Sequence, residues 1–288
     1  MPVDALDIAA EAGNPFRDAI ARGRPLVGIW SMLNCSHAIE GLAYSGFDWI
    51  LIDGEHAPLS LADAMSHLRT LEGKAAVPIV RLPWNDSVLL KQYLDAGVRT
   101  VMLPMVQDGR EAAHAVAAMR YPPHGHRGVA LMHRASRYGR MKDYLQHAHR
   151  GLFLIVQIET SGALDRIDEI AATDGVDALF FGPSDLAASL GHIGRPDHPD
   201  VMAAISVAHE RVRRAGKVAG VLAPNGEVAE RHLRAGFDFV SVTSDCALLF
   251  NGADATAGRF KAIAEEAGPQ EAGVQEAGAS PAEQRRHG

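Results

Sequence analysis

The segment Ser45-Gly46-Phe47-Asp48-Trp49-Ile50-Leu51-Ile52-Asp53-Gly54-Glu55-His56 carries the pattern that decides the fold. A glycine, an apolar residue and a polar residue precede a short apolar run, and two carboxylates and an imidazole follow it. The glycine-led start recurs in segments 96–103, 174–181 and 235–242. Glycine suits the left-handed residue that ends a helix, and a short apolar run bounded by turn residues is typical of a buried strand. Each segment therefore predicts the end of a helix followed by a strand.

Short apolar runs alternate with longer amphipathic stretches along most of the chain. The predicted strands are Leu26–Trp30, Asp48–Asp53, Val77–Leu82, Thr100–Met105, Phe153–Glu159, Asp177–Gly182, Lys217–Leu222 and Asp238–Thr243. The predicted helices lie at about Ala38–Ser45, Leu61–Leu71, Ser87–Ala96, Gly109–Met119, Ala163–Ala172, Val201–Ala215, Glu227–Ala235 and Ala247–Ala264. This alternation predicts an α/β fold, a single-domain (β/α)8 TIM barrel, although an open doubly wound sheet could show the same repeat.

The barrel is predicted to occupy residues 25–265, after an N-terminal helical extension at residues 1–24. A Glu-Ala-Gly repeat begins the last segment, 266–288, which lacks bulky apolar residues and is expected to be disordered. The long connection 121–150, rich in proline, glycine and basic residues, is expected to serve function or assembly.

The composition excludes several classes of protein. The 288 residues include 28 basic and 35 acidic ones, a net charge of −7, which argues against nucleic acid or a membrane as the partner and favours a small-molecule substrate. No secretory signal or long apolar segment is evident, so a cytoplasmic location is expected. Cys35 and Cys246 have no metal-ligand spacing and are expected to be buried small residues.

Reactive side chains collect where the predicted strands end, which is the active-site face of a barrel. They are Trp30, Asp53, Glu55, His56, Arg81, Gln157, Glu159, Ser184 and Asp185, and Leu222 offers a less polar wall. Two carboxylates on neighbouring strands can converge on one ion, and Glu159 with Asp185 suits Mg²⁺ or Mn²⁺. An inward Arg81 would meet a substrate carboxylate or enolate oxygen.

Plainer interpretations stay open for each group. Glu159 and Asp185 could be carboxylates at helix starts, and Asp53 and Glu55 could cap a helix beside a solvated His56. Arg81 could pair with Asp53 or Asp95. The five lysines all read as helical, loop or strand-start positions, so a Schiff-base mechanism is not expected and metal-stabilised carbanion chemistry takes its place.

Several motifs resemble the class II pyruvate aldolases of the HpcH/HpaI family, in the order and spacing of that family from about residue 25 to 260. They are Gly46-Phe47-Asp48-Trp49 through Asp53-Gly54-Glu55-His56-Ala57-Pro58, Arg120-Tyr121-Pro122-Pro123 with Gly128-Val129, Val156-Gln157-Ile158-Glu159, and Gly182-Pro183-Ser184-Asp185-Leu186. The resemblance implies a TIM barrel, assembled as a hexamer (a trimer of dimers), that cleaves 4-hydroxy-2-oxo acids to pyruvate and an aldehyde. It also implies a divalent cation, Mg²⁺, Mn²⁺ or Co²⁺, and no organic cofactor.

The resemblance implies a role for each candidate residue. Glu159 and Asp185 match the metal ligands, His56 the catalytic base and Arg81 the enolate-stabilising arginine. Gln157 and Ser184 match substrate contacts, the serine through its backbone. The acid that raises the basicity of the histidine matches Asp95, whereas the residues alone indicate Asp53 as the partner of His56. Trp30 and Leu222 are expected to line the substrate pocket.

Two questions remain open at this stage. The sequences of some motifs are close to those of the 5-keto-4-deoxyglucarate aldolases. The motif Arg134-Ala135-Ser136-Arg137 looks more like that of the 4-hydroxy-2-oxoheptanedioate enzymes. The alternatives to an aldolase are an acyl-CoA lyase of the citrate lyase β-subunit type, with Arg211, Arg213 and Arg214 as the nearest nucleotide-docking surface, and a non-catalytic barrel that binds a keto acid.

Overall fold

A computed structural model describes residues 13–268. Eight parallel strands close a barrel in chain order, with β1 beside β8. They are β1 Leu26–Ser31, β2 Trp49–Asp53, β3 Val77–Arg81, β4 Thr100–Leu103, β5 Phe153–Ile158, β6 Ala178–Phe181, β7 Val218–Leu222 and β8 Phe239–Ser244. The predicted (β/α)8 barrel is therefore confirmed and the open sheet is excluded, because an open sheet would leave β1 and β8 unpaired.

Helices follow the strands in the expected alternation. They are α1 Pro15–Ile20, α2 Ser36–Leu42, α3 Leu61–Thr70, α4 Ser87–Asp95, α5 Gly109–Met119, α6 Tyr144–His147, α7 Ser161–Asp165, α8 Ile167–Ala172, α9 Pro183–Ser189, α10 Pro199–Arg214, α11 Gly226–Arg234 and α12 Asp245–Glu266. The helix predicted at Ala163–Ala172 is two short helices, because Arg166 between them leaves the helical conformation (φ −96°, ψ 12°).

The chain divides into two compact units, with the boundary between Leu248 and Leu249. The first contains the barrel and the start of α12, and the second contains the remainder of that helix. The predicted disordered tail lies outside the described residues except for 266–268, and residues 1–12 of the predicted N-terminal extension lie outside them as well. Cys35 is exposed and Cys246 is partly exposed, so the expectation of two buried cysteines is wrong.

Alternate residues of each strand point into the barrel, as the two-residue period of a strand requires. Trp49 of β2 and Phe239 of β8 are fully buried there, with ring centroids 5.7 Å apart. Glycine makes room for both rings, since a Cβ on Gly28 would lie 2.0 Å from the Trp49 ring and one on Gly220 would lie 2.3 Å from the Phe239 ring. The barrel is consequently a packed core rather than a pore.

Helix α1 closes the end of the barrel at which the strands begin. Asn14 caps it by accepting hydrogen bonds from the backbone N–H groups of Phe16 and Arg17, and its Nδ2 donates to the Thr100 Oγ1 at the start of β4. Phe16 is fully buried, with its ring edge-on to those of Phe153 and Phe239 at 5.3 and 5.2 Å. With this end filled, only the opposite end is left to receive a substrate.

Candidate active site

Asp53 and Arg81 form the centre of the site at the carboxyl ends of β2 and β3. The strand register makes them direct neighbours, and both side chains point inward. Arg81 donates through Nε to Asp53 Oδ1 at 2.9 Å and through Nη2 to Asp53 Oδ2 at 2.6 Å. Trp30 Nε1 donates to Asp53 Oδ2 at 3.0 Å, and the Arg81 guanidinium lies 4.7 Å from the Trp30 ring centroid. The salt-bridge alternative for Arg81 is thus realised with Asp53, and this pairing fixes the direction of the guanidinium.

Asp53 is ionised at the bottom of the site. Burial alone would raise the pKa of this carboxyl, but the hydrogen bonds from Arg81 and Trp30 outweigh it and hold the pKa below its ordinary value. Asp53 Oδ1 also accepts from the backbone N–H groups of Glu55 and His56, at 2.9 and 3.3 Å. Asp53 therefore shapes the loop that carries His56 and contacts its backbone rather than its imidazole.

Glu55, rather than Asp53, is the carboxylate beside the imidazole. Glu55 Oε1 lies 4.0 Å from His56 Nε2, and Glu55 Oε2 lies 2.7 Å from Arg81 Nη1. Burial raises the pKa of Glu55 above its ordinary value. The positive charge of Arg81 opposes this rise, and the negative charges of Asp53 and Asp185 add to it. The His56 side chain is 59 % exposed, so the imidazole is open to a substrate and to solvent protons.

Glu159 is the most perturbed carboxyl of the site. It follows β5 at 2 % exposure, and its Oε1 has no hydrogen-bond partner among residues 13–268. Burial and the negative charges of Glu55 and Asp185 raise its pKa to about 8, against the attraction of Arg81. Gly182 lets the chain approach closely, because a Cβ there would lie 2.9 Å from Glu159 Cγ.

Glu55, Glu159 and Asp185 supply carboxylates that would hold a divalent cation, but their oxygens do not all lie within 4.8 Å of one another, so binding would require them to move together. Burial raises the pKa of Glu55 and of Glu159, the negative charges of Glu55 and Asp185 raise that of Glu159 further, and Glu159 Oε1 is buried without a hydrogen-bond partner within residues 13–268. A cation would relieve both the repulsion and the missing hydrogen bond. The ligand atoms are all carboxylate oxygens, which hard cations such as Mg²⁺ and Mn²⁺ prefer.

Glu159 and Asp185 both lie at helix starts, as the plainer interpretation expects, but neither is the N-cap of its helix. Thr160 caps α7, with its Oγ1 accepting from the Ala163 N–H, so Glu159 is not the cap. Gly182 occupies the cap position of α9, and Asp185 lies exposed in the first turn of that helix. Neither carboxylate is used as a helix cap, and the first-turn position of Asp185 suits a helix-start carboxylate as well as a ligand.

The predicted substrate contacts lie at or just after the carboxyl ends of their strands, as Glu159 and Asp185 do. Gln157 lies on β5, two residues before Glu159, and its side chain points to the same side of the sheet as that of Glu159. It is buried, and its Oε1 has no hydrogen-bond partner within the described chain. Ser184 is exposed at the start of α9, and Leu222 is half-buried at the end of β7. An inward amide oxygen without a partner, beside a carboxylate without one, is consistent with a polar ligand.

Asp95 lies apart from these residues. It ends α4, which runs back from the end of β3 toward the start of β4, so it belongs to the end of the barrel opposite His56. Its Oδ1 accepts from Arg127 Nη2 at 2.6 Å and lies 3.8 Å from His133 Nε2. Arg127 is itself buried over the Tyr121 ring, 4.5 Å from the centroid. The fold of one chain therefore does not bring Asp95 to the imidazole of His56.

Two residues of the rim were not predicted. Asp245 is buried after β8, and its carboxylate accepts from Ser31 Oγ and from the backbone N–H groups of Met32 and Leu33, which holds the loop after β1. Asn34 in the same loop donates to the Pro58 carbonyl oxygen beyond His56. The sequence does contain a pattern that could have identified Asp245. It is a carboxylate directly after a strand, much as Asp53 is a carboxylate at the end of a strand.

The remaining predicted cations lie elsewhere. Lys217 precedes β7 at the closed end, where its Nζ donates to the Val176 carbonyl oxygen at 2.6 Å. Arg211 on α10 donates through Nε and Nη2 to Asp168, at 3.1 and 3.0 Å. It therefore already has a partner and is not free to bind a nucleotide phosphate. No helix within residues 13–268 is long and apolar enough to cross a membrane.

Comparison with known proteins identifies relatives of the chain. A family model described as HpcH/HpaI aldolase/citrate lyase matches residues 26–252. A curated protein of Klebsiella pneumoniae named 4-hydroxy-2-oxo-heptane-1,7-dioate aldolase is 47 % identical over 248 residues, which cover 86 % of this chain and 94 % of the relative. A Salmonella dublin protein of the same name is 47 % identical over 250 residues, with 86 % and 95 % coverage.

Solved structures extend the agreement to the fold. An HpcH/HpaI aldolase/citrate lyase family protein from Burkholderia cenocepacia aligns with a TM-score of 0.83 and 39 % identity over 86 % of this chain and 99 % of that one. An HpcH/HpaI aldolase from Desulfitobacterium hafniense aligns with a TM-score of 0.76 and 28 % identity over 86 % and 95 %. The resemblance predicted from the motifs is confirmed. The chain belongs to the HpcH/HpaI aldolase/citrate lyase family.

Proposed function

We propose that this chain is a divalent-metal-dependent aldolase that cleaves 4-hydroxy-2-oxo acids to pyruvate and an aldehyde. The observation that carries the proposal is the buried Glu159 carboxyl, whose Oε1 has no hydrogen-bond partner in the described chain and whose pKa the charges of Glu55 and Asp185 help to raise, beside a clamped Arg81. The names of the relatives at 47 % identity favour 4-hydroxy-2-oxoheptane-1,7-dioate as the substrate, with succinate semialdehyde as the aldehyde product. They also favour an aldolase over an acyl-CoA lyase.

Glu159 and Asp185 would hold the cation, which is Mg²⁺, Mn²⁺ or Co²⁺. When bound, it supplies positive charge to the 2-oxo oxygen, where electrons collect as the carbon–carbon bond breaks. The raised pKa of Glu159 means that a cation must displace a proton from this carboxyl below about pH 8. Ser184 and Gln157 then position the substrate carboxylate and 2-oxo group by hydrogen bonding.

Arg81 stabilises the charge that develops on the 2-oxo oxygen. Asp53 holds two of its nitrogens and Glu55 lies against the third, so the guanidinium needs no reorganisation when that charge appears. Nη1 and Nη2 each carry two protons, and the pairing with Asp53 uses only one of the Nη2 protons. The Trp30 ring against its face limits the guanidinium to one plane.

His56 acts as the base. Its exposed imidazole takes the proton from the 4-hydroxyl, the C4–O bond becomes the carbonyl of the aldehyde, and the C3–C4 electron pair moves into the enolate of pyruvate. Return of a proton to C3 completes pyruvate. Glu55 Oε1 lies 4.0 Å from Nε2, so a carboxylate stands beside the ring that takes the proton.

We further propose that Asp95 acts on His56 of a neighbouring copy in a homo-hexamer, located in the cytoplasm. This reconciles the role that the family motif implies for Asp95 with its position at the opposite end of its own barrel. Mixing inactive His56→Ala and Asp95→Ala proteins under conditions that exchange subunits should restore part of the activity, because some sites then receive both intact residues. If no activity returns on exchange, Asp95 supports its own chain through Arg127 instead.

The function is tested by coupling pyruvate release to lactate dehydrogenase over a panel of 4-hydroxy-2-oxo acids. We expect cleavage of the heptanedioate that is lost in chelator and regained with Mg²⁺, Mn²⁺ or Co²⁺. Glu159→Gln should remove this dependence and most of the rate, whereas Glu227→Gln, which changes an exposed carboxylate on α11, should behave as wild type. Full-rate cleavage by chelated protein would contradict the proposed use of a metal.

A further inference from the structure

A histidine–carboxylate cluster lies in the connection between α9 and α10, outside the site described above. His192, His198 and Asp200 each offer one ligand atom, and the three atoms lie within 4.8 Å of one another. Within residues 13–268 this is the only trio of histidine, cysteine or acidic side chains that meets that spacing. Both imidazoles are largely shielded, at 19 % and 23 % exposure, while Asp200 is open to solvent.

The spacing of the cluster suits a tetrahedral transition-metal site. Asp200 Oδ2 lies 3.0 Å from His192 Nε2 and 3.6 Å from His198 Nδ1. In a tetrahedral site with bonds of about 2.1 Å, two ligand atoms are about 3.4 Å apart, which falls between these values. Two imidazole nitrogens and one carboxylate oxygen form a donor set typical of Zn²⁺ with one open position.

Each histidine already uses Nδ1 in a hydrogen bond. The backbone N–H of Asp200 donates to His198 Nδ1 at 3.3 Å and so caps α10; this keeps Nδ1 unprotonated, but a metal bound there would have to take its single lone pair from the N–H. Arg195 Nη2 lies 3.3 Å from His192 Nδ1, and a donation there selects the tautomer that keeps a proton on Nε2. Arg195 therefore opposes metal binding by His192, but it is exposed and free to turn away.

Metal binding also requires the stacked rings of His192 and His198 to move apart. They are stacked at 3.6 Å with an interplanar angle of 15°, and a metal lies in the plane of every imidazole that binds it. The loop is anchored while this happens, because the His192 backbone N–H donates to the Ala187 carbonyl oxygen of α9 at 2.7 Å. A metal here would join the end of α9 to the start of α10 and so brace the helix that carries Ser184 and Asp185.

We propose that His192, His198 and Asp200 form a second metal site, selective for Zn²⁺ and related transition metals and separate from the all-oxygen group at Glu159. The site braces the connection between α9 and α10. Release of Arg195 from His192 accompanies metal binding. The proposal does not depend on the aldolase activity, because its ligands lie outside the group that would bind the substrate.

The test uses the full chain, purified without a polyhistidine tag, with Glu159→Gln and Asp185→Asn introduced to remove the all-oxygen group. Zn²⁺ is titrated calorimetrically, and Co²⁺ is titrated by its visible absorption. We expect one Zn²⁺ per chain, a tetrahedral Co²⁺ spectrum, and affinity at least tenfold weaker in His192→Ala, His198→Ala and Asp200→Asn. His124→Ala is the matched control, since His124 belongs to another histidine pair, with His149 at 5.9 Å between centroids.

Arg195→Gln separates this mechanism from nonspecific zinc binding. Removing the guanidinium frees His192 Nδ1, so the affinity for Zn²⁺ should rise severalfold, and the zinc-dependent rise in Tm should increase with it. The proposal is overturned if the parent protein binds no Zn²⁺, if the His192 and His198 variants bind as the parent does, or if Mg²⁺ competes with Zn²⁺ on equal terms. Unchanged or weaker binding in Arg195→Gln would overturn the role of Arg195.

Discussion

Replacing Glu159 by glutamine should stabilise the metal-free protein, although it removes a residue of the proposed site. The carboxyl is buried, has no hydrogen-bond partner in the described chain and stands among negative charges, so its ionised form is costly in the folded state. Glutamine has the same shape and carries no charge at any pH. Glu159→Gln therefore removes the cost of ionisation and leaves the packing nearly unchanged.

The size of the effect follows from the pKa of Glu159, which burial and neighbouring carboxylates raise from 4.5 to about 8. Below pH 4.5 the group is protonated in both folded and unfolded chains, and the wild-type protein has no penalty. Between pH 4.5 and 8 only the folded chain keeps the proton, so its stability falls by about 1.4 kcal/mol per pH unit. Above about pH 8 the loss levels off at no more than about 5 kcal/mol.

The assay is denaturant unfolding of both proteins in chelator, from pH 4.5 to 9. Other titrating groups are shared, so the difference in unfolding free energy isolates Glu159, and it should grow from near zero to a few kcal/mol in favour of Glu159→Gln. Excess Mn²⁺ should reverse the order at pH 8, because the cation stabilises only the wild-type carboxylate. A difference that does not change with pH would refute the assignment of an uncompensated buried charge to this residue.

Three further predictions follow from named contacts. His56→Ala should lower kcat for pyruvate release by about 10²- to 10⁴-fold, as expected for loss of a general base, while calorimetry should find Mn²⁺ affinity unchanged. Gly182→Ala should weaken Mn²⁺ binding, because its Cβ would lie 2.9 Å from the Cγ of Glu159, whereas Gly226→Ala, with nothing within 4 Å, should not. Phe16→Ala should lower the unfolding free energy by about 3–5 kcal/mol in denaturant melts, because the ring is fully buried against three aromatic rings; a loss below about 1 kcal/mol would exclude α1 from the barrel core.

The strands were predictable to within two residues because each is a short apolar run that begins near a glycine or a polar residue. Closure was not, since the pairing of β1 with β8 joins segments about 200 positions apart, and a local pattern is the same in a closed and an open sheet. The break at Arg166 was also hidden, because the apolar spacing of Ala163–Ala172 continues through it. Local periodicity thus determines elements and leaves their long-range partners undetermined.

The roles of the polar residues depend on the direction in which their side chains point. The spacing of residues in the sequence predicts that direction only inside a strand. Asp53, Arg81 and Gln157 follow the alternation of their strands and point inward as that alternation requires, and Glu159 lies one residue beyond β5. Beyond the strand the rule ends, and the sequence favoured Asp53 over Glu55 as the partner of His56.

Gly54 explains why Glu55 and not Asp53 lies beside the imidazole. Its N–H donates to the Arg81 carbonyl oxygen at 2.8 Å, and a Cβ there would lie 2.6 Å from the same oxygen, so the chain turns tightly against β3. That turn brings Glu55 to Arg81 and to the imidazole of His56, while its charge also raises the pKa of Glu159. Glu55 thus lies beside His56 and also contributes to the raised pKa of Glu159, so a cation bound at Glu159 would alter the electrostatic environment of both.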